Sequence, residues 1–131
     1  MGDGLLAIAQ GDEHERRGLA FARELVARTA RVTRVREVLG SGLPLHLRAG
    51  VASGTVVLGS LGTLFKTEFA AIGATTNLAA RLQAKADPGE VVCARRTAQA
   101  AGASDAKDET FELKGYEGHE PVEASRISAR S

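Results

Sequence analysis

The chain has a single cysteine, Cys93, among its 131 residues, which excludes an intrachain disulfide and any zinc site built from clustered thiolates. A reducing, cytoplasmic setting fits that scarcity. An excess of one charge is also missing: 17 basic residues meet 16 acidic ones, for a formal charge of +1. Nothing in this balance draws the whole molecule to nucleic acid or to an anionic membrane, so any anion site must be local. No stretch approaches the roughly 20 apolar residues of a membrane span, and no basic segment near Met1 leads into a long apolar run. The chain as given is expected to be soluble and to carry no membrane segment. What is present suffices for one core, since 44% of the residues are hydrophobic in a length suited to one domain.

Gly2-Asp3-Gly4 is a turn signal, and Leu5-Leu6-Ala7-Ile8-Ala9 reads as a short buried strand, so the sequence opens inside a hairpin. Between Glu13 and Val38, residues Leu19, Ala22, Val26, Thr29 and Thr33 recur at alternating spacings of three and four, which predicts one buried face of a long helix. Arginines cover much of the remainder, but Glu13, Glu15, Glu24 and Glu37 are interspersed, giving a solvated face rather than a nucleic-acid stripe. Gly40 to Pro44 breaks the helix. Leu45, Leu47, Ala49 and Val51 then alternate with His46, Arg48 and Gly50, as in a half-buried strand. After a turn at Ser53-Gly54, a strand is expected over Thr55 to Leu58, a turn over Gly59 to Gly62, and an antiparallel partner over Phe65 to Ile72.

A helix from Thr75 to Ala86 stops before Asp87-Pro88-Gly89. Val91-Val92-Cys93 follows as a strand, Arg95 to Ala101 as a short helix and Gly102 to Lys107 as a loop, with strands near Thr110 to Leu113 and Val122 to Ser125. This alternation predicts an α+β sandwich, with helices packed on a mainly antiparallel sheet and no internal repeat.

The chemistry concentrates in Gly73-Ala74-Thr75-Thr76-Asn77-Leu78-Ala79-Ala80-Arg81-Leu82. A glycine ends an apolar run, and the helix that opens there sets Asn77 and Arg81 one turn apart on one face. A neutral amide and a guanidinium aimed into one site suit a phosphorylated ligand. Taken singly, each element has a plainer reading. Asn77 and Arg81 could be a helix-start amide and an exposed, salt-bridging arginine; Gly2-Asp3-Gly4 is ordinary turn chemistry; Lys114 before Gly115 is a solvated strand end. Gly50, Gly54, Gly59 and Gly62 read as tight turns and close backbone packing, not as a phosphate cradle. His14, His46 and His119 lie far apart without partners at ligand spacing, and Cys93 in its apolar strand reads as core.

In order along the chain, Gly2-Asp3-Gly4, Gly50-Val51-Ala52-Ser53-Gly54, Gly59-Ser60-Leu61-Gly62, the Gly73 to Leu82 segment, Leu113-Lys114-Gly115 and Pro121-Val122 resemble the class III adenylate/guanylate cyclase catalytic domain. The resemblance runs from Gly2 to about Ile127 and leaves out what that family has before Gly2. It implies a ferredoxin-like sandwich lacking its first strand and first helices, over residues 1–128, with 129–131 as a tail. It also implies a phosphorus-oxygen lyase that converts a nucleoside triphosphate, most often ATP to cyclic AMP plus pyrophosphate, in cyclic-nucleotide signalling. The implied partner is a second cyclase domain, in a head-to-tail homodimer or a pairing with another chain, each site being built at the interface.

Carried over residue by residue, the resemblance makes Asp3 a ligand for Mg²⁺ or Mn²⁺, Asn77 the ribose-orienting amide, Arg81 the transition-state cation and Lys114 a phosphate contact. Two departures stand out. Ala70 occupies the position of the base-reading Asp or Thr, and Ala74 stands where an acidic residue is common. The base-reading Lys and the other metal-binding Asp would precede Met1, so these residues carry no preference between ATP and GTP, and only part of the two-metal site is present. The same departures fit an alternative, a non-catalytic cyclase-homology module for dimerisation or nucleotide sensing. An unrelated ferredoxin-like binding domain would require the whole ordered series to be coincidence. Met1 falls where the family has an apolar residue before its hairpin, so an in-frame Phe-x-Asp strand is expected immediately upstream.

Overall fold

The computed structural model describes residues 4–40, 46–54, 57–62, 67–72, 74–112 and 121–128. Its elements run α1 (His14–Val38), β1 (Ala49–Val51), β2 (Val57–Gly62), β3 (Thr67–Ile72), α2 (Ala74–Gln83), β4 (Glu90–Ala94), α3 (Arg95–Ala100), β5 (Lys107–Phe111) and β6 (Val122–Ser128).

In α1 the expected stripe is the buried one: Leu19, Ala22, Val26 and Thr33 turn inward, and the half-buried Thr29 returns its hydroxyl to the Leu25 carbonyl at 2.9 Å. Gly40, at φ 71°, supplies the left-handed residue that closes the helix. Arg16 pairs with Glu13 at 2.7 Å and Arg28 with Glu24 at 2.8 Å on the outer face, which is a solvated, self-compensated surface.

Four strands form one sheet in the order β1-β4-β6-β5. β1 runs parallel to β4, with Gly50 opposite Val92, while β4·β6 and β5·β6 are antiparallel. Strand alternation sends Val91, Cys93 and Ile127 to one face, where they pack with Leu19, Ala22 and Val26 of α1 and Ala98 of α3. Val92 and Ala124 turn to the other face and meet Leu82 of α2 and Ala86 just beyond it. The sheet is therefore mixed and covered on both sides, with α1 and α3 on one and α2 on the other. Arg126 sits on the α2 face. It donates to Glu109 at 2.8 Å and to Glu90 at 2.6 Å, with its guanidinium 5.9 Å from the Phe111 ring centroid, so one cation ties β4, β5 and β6 together.

β2 and β3 form a separate antiparallel two-stranded sheet, Val57 opposite Ile72 and Gly62 opposite Thr67. This corrects the expected turn at Gly59 to Gly62: those residues are strand, each paired across the ladder, because backbone pairing outweighs the conformational freedom of two glycines. A second correction concerns Leu5 to Ala9. Residues 4–10 adopt no regular structure, and Leu5, Leu6 and Ile8 are exposed rather than buried. A strand needs a neighbour for its backbone groups, and among the described residues none pairs with this segment. Smaller shifts follow from pairing as well: of the described residues 46–51 of the alternating run, only Ala49–Val51 lies on β4, Leu45 being outside the described residues, while β5 starts at Lys107, opposite Arg126.

Candidate functional site

α2 is the element that presents the site. Leu78, Leu82 and Ala86 recur every fourth residue and bind the helix to the sheet, with Leu82 fully buried. Beyond Gln83 the chain tightens, Lys85 N–H bonding the Leu82 carbonyl at 3.0 Å and Ala86 N–H the Gln83 carbonyl at 3.1 Å, before Asp87-Pro88-Gly89 carries it into β4. With that stripe fixed inward, Asn77 and Arg81 are exposed, one turn apart. Neither is engaged by a hydrogen bond or ion pair among the described residues. Arg23, in contrast, is held by Asp105 at 2.9 Å, and Arg126 by two glutamates.

The N-terminal end of α2 lies beside the loop that leaves β1. There the Ser53 backbone N–H donates to the Thr97 hydroxyl at 3.0 Å, and the Ser53 and Thr97 hydroxyls are 2.7 Å apart. Thr97 is buried in α3, so this pair anchors the loop to the opposite layer of the fold. Sequence reasoning missed it, because a threonine in a short helix carries no mark of its distant partner.

Asp3 and Lys114 lie outside the described residues, so of the four expected site residues the structure brings together Asn77 and Arg81. Ala70 lies in β3, its backbone opposite Gly59. Among the described residues no three His, Cys, Asp or Glu side chains converge to hold a metal ion. They do not by themselves fit a divalent cation. No helix among them is long and apolar enough to cross a membrane. A groove of about 1110 Å³ runs along α1, with Arg34, His46 and the Arg23–Asp105 pair among its walls, but no residue of α2 lines it. Asn77 and Arg81 therefore lie apart from this groove, on an exposed face of α2.

On a helix anchored against a mixed α+β sheet stand an exposed amide and a guanidinium with no partner among the described residues, two sets of donors that suit an anionic ligand. Comparison with known proteins supplies the family. The chain belongs to the adenylate and guanylate cyclase catalytic domain family, whose model matches residues 2–125. Among solved structures it is similar to the guanylyl cyclase Cya2, with 25% identity and a TM-score of 0.74, covering 90% of this chain and 59% of that one. The adenylyl cyclase CyaB from P. aeruginosa gives 21% identity and a TM-score of 0.77, covering 92% and 63%. The guanylate cyclase domain of RhGC from Catenaria anguillulae, solved in complex with GTP, gives 20% identity and a TM-score of 0.62, covering 99% and 65%. The chain thus spans about three fifths of the length of these structures. No curated protein sequence matches it.

Proposed function

We propose that this chain contributes to a nucleotidyl cyclase site that converts a purine nucleoside triphosphate, most often ATP, to its cyclic monophosphate. In this reaction the 3′ oxygen attacks the α-phosphorus and a new P–O bond forms. The bond to the bridging oxygen breaks, pyrophosphate leaves with its electron pair, and the hydroxyl proton passes to solvent. The work of such a site is positioning and charge stabilisation. The observation that carries the reading is the exposed pair Asn77 and Arg81 on one face of α2, without a partner among the described residues, within a chain of cyclase family.

In this reading the Asn77 amide hydrogen-bonds the ribose and aims its 3′ oxygen. The Arg81 fork donates to the phosphorus-bound oxygens as they gain charge, a role for which a planar bidentate donor suits better than an ammonium. Lys114 contacts the polyphosphate. Asp3 offers a hard carboxylate to Mg²⁺ or Mn²⁺, the remaining ligands coming from outside the described residues. Because Asn77 and Arg81 face outward, the site is completed by a second cyclase domain, in a head-to-tail homodimer or with another chain.

Ala70 favours a second reading. Its methyl side chain offers no hydrogen bond to a purine, as expected of a non-catalytic module that dimerises or senses nucleotide. One experiment separates the two: cyclic AMP and cyclic GMP formation from ATP or GTP with Mn²⁺, by this chain and by a form extended upstream in its reading frame. Product that Arg81→Ala abolishes supports the cyclase. Soluble dimers that form no product in either case support the partner module.

A further inference from the structure

β1 and α2 cross at unusually short range, and a glycine permits it. Alternation along β1 points Ala49 and Val51 toward α1, where both pack against the core. Gly50 therefore faces α2. A Cβ built on Gly50 would lie 2.0 Å from the Ala79 carbonyl oxygen, 2.4 Å from the Gln83 nitrogen and 2.9 Å from the Gln83 Cα. These are backbone atoms of the helix, so no side-chain rotation relieves the contact. Four residues on, a Cβ on Gly54 would lie 2.5 Å from the Thr75 hydroxyl oxygen, in the first turn of α2. The two glycines thus touch α2 on either side of Asn77, and the helix runs antiparallel to β1 with Arg81 between the two contacted residues Ala79 and Gln83.

We propose that Gly50 and Gly54 are positioning residues for Asn77 and Arg81: Gly50 by admitting β1 against the backbone of α2, and Gly54, in the loop beyond β1, by admitting the Thr75 side chain, set the height and tilt at which that helix presents its amide and guanidinium. The proposal rests on the cyclase reading given above. Gly50 is not required for its backbone conformation, which lies outside the positive-φ region that favours glycine, so what the position needs is the absence of a side chain. Any added methyl must push α2 away by at least about 1 Å, because non-bonded carbon and oxygen do not approach to 2.0 Å. Displacements of that size misalign groups that act on the reacting atoms, and roughly 10²-fold in rate is the usual consequence. Asn77 and Arg81 would move together, as one rigid helix, while Leu82 lost part of its seat.

The test compares Gly50→Ala, Gly54→Ala and the control Gly18→Ala in the full chain. Gly18 lies in α1, where an added Cβ would meet only the Ala9 Cβ at 3.7 Å, an ordinary contact. Two readouts are taken: kcat and KM for ATP and GTP, and ¹H–¹⁵N NMR of the ligand-free protein covering the Asn77 amide, the Arg81 guanidinium and the α2 backbone. The expected result for Gly50→Ala is displaced α2 resonances, unmoved α3 and β5 resonances, kcat lower by about 10²-fold, and KM changed less than about threefold. Gly18→Ala should match the parent in both readouts. A folded Gly50→Ala whose α2 resonances or kcat match the parent overturns the proposal. Should Gly50→Ala not fold, Gly54→Ala is compared with the double variant Gly54→Ala, Thr75→Ala, which keeps the backbone strain at φ 156° and removes the contacted hydroxyl: α2 resonances and kcat displaced in the single variant and restored in the double support the proposal, and no restoration overturns it. Absence of turnover in both the unsubstituted chain and its upstream-extended form refutes the catalytic reading, and the NMR comparison then still decides whether these glycines set the helix position.

Discussion

The hydroxyl of Thr97 lies 2.7 Å from that of Ser53, joining α3 to the loop that leaves β1 across 44 residues of sequence. Thr97 also accepts from the Ser53 backbone N–H, so one hydroxyl bonds both a side chain and a main-chain donor. Thr97→Val keeps the shape and leaves that donor without its partner. The expected loss is about 1–3 kcal/mol, read from urea denaturation, against less than about 0.5 kcal/mol for the exposed Arg96→Ala. Equal stabilities would show that water replaces the hydroxyl.

Arg81 is exposed and unpaired among the described residues, so its removal should leave stability alone. Arg81→Ala is expected to shift the thermal midpoint by no more than about 1 °C while lowering cyclic nucleotide formation by roughly 10²–10³-fold. Arg81→Lys should recover little, because an ammonium cannot make the bidentate contact. A large drop in midpoint would mark Arg81 as structural instead.

Acid should weaken the sheet through Glu109 and the contact between α1 and the loop before β5 through Asp105. The hydrogen bond from Arg126 holds Glu109 below its ordinary value of 4.5, and that from Arg23 holds Asp105 below 3.8. A carboxyl with a depressed folded value contributes stability that is fully present above its unfolded value and is lost as pH falls through the folded one. Thermal midpoints should therefore hold steady down to about pH 5 and decline below it. The double variant Glu109→Gln, Asp105→Asn should decline less steeply. An unchanged slope would exclude these pairs as the cause.

Burial pushes the Cys93 thiol up to about 12, leaving almost no thiolate near neutrality. A disulfide reagent at about pH 8 should fail to modify the folded chain and should react quickly in denaturant, since the thiolate is the nucleophile. Rapid labelling without denaturant would show that β4 opens readily.

β1 pairs only with β4 among the described residues, which leaves its other edge open, and Leu5 and Leu6 are 75% and 55% exposed. Open edges and exposed apolar side chains favour association. Light scattering during size-exclusion chromatography should show concentration-dependent oligomers. A monomer with a single cooperative melt would contradict this.

The parts legible in the sequence are those with local causes. The three-and-four spacing of Leu19, Ala22, Val26 and Thr33 specified α1 because a helix buries what its own pitch aligns. Asp87-Pro88-Gly89 separates α2 from β4, although the helix itself ends at Gln83 and not at the expected Ala86, and the spacing of Asn77 and Arg81 put them on one face before any neighbour was known. The errors came where pairing decides. Gly59 and Gly62 carry turn composition but lie in a ladder, and Leu5 to Ala9 carry strand composition without a strand to lie against. Tertiary structure alone decided that Leu82 locks the inner face of α2, that Asn77 and Arg81 are exposed on the outer face, and that Gly50 lies under Ala79 and Gln83. Local sequence fixes which residues share a face, because that follows from the geometry of one element. Which element comes to rest on that face is set by contacts between residues far apart in the chain, and no single segment encodes them.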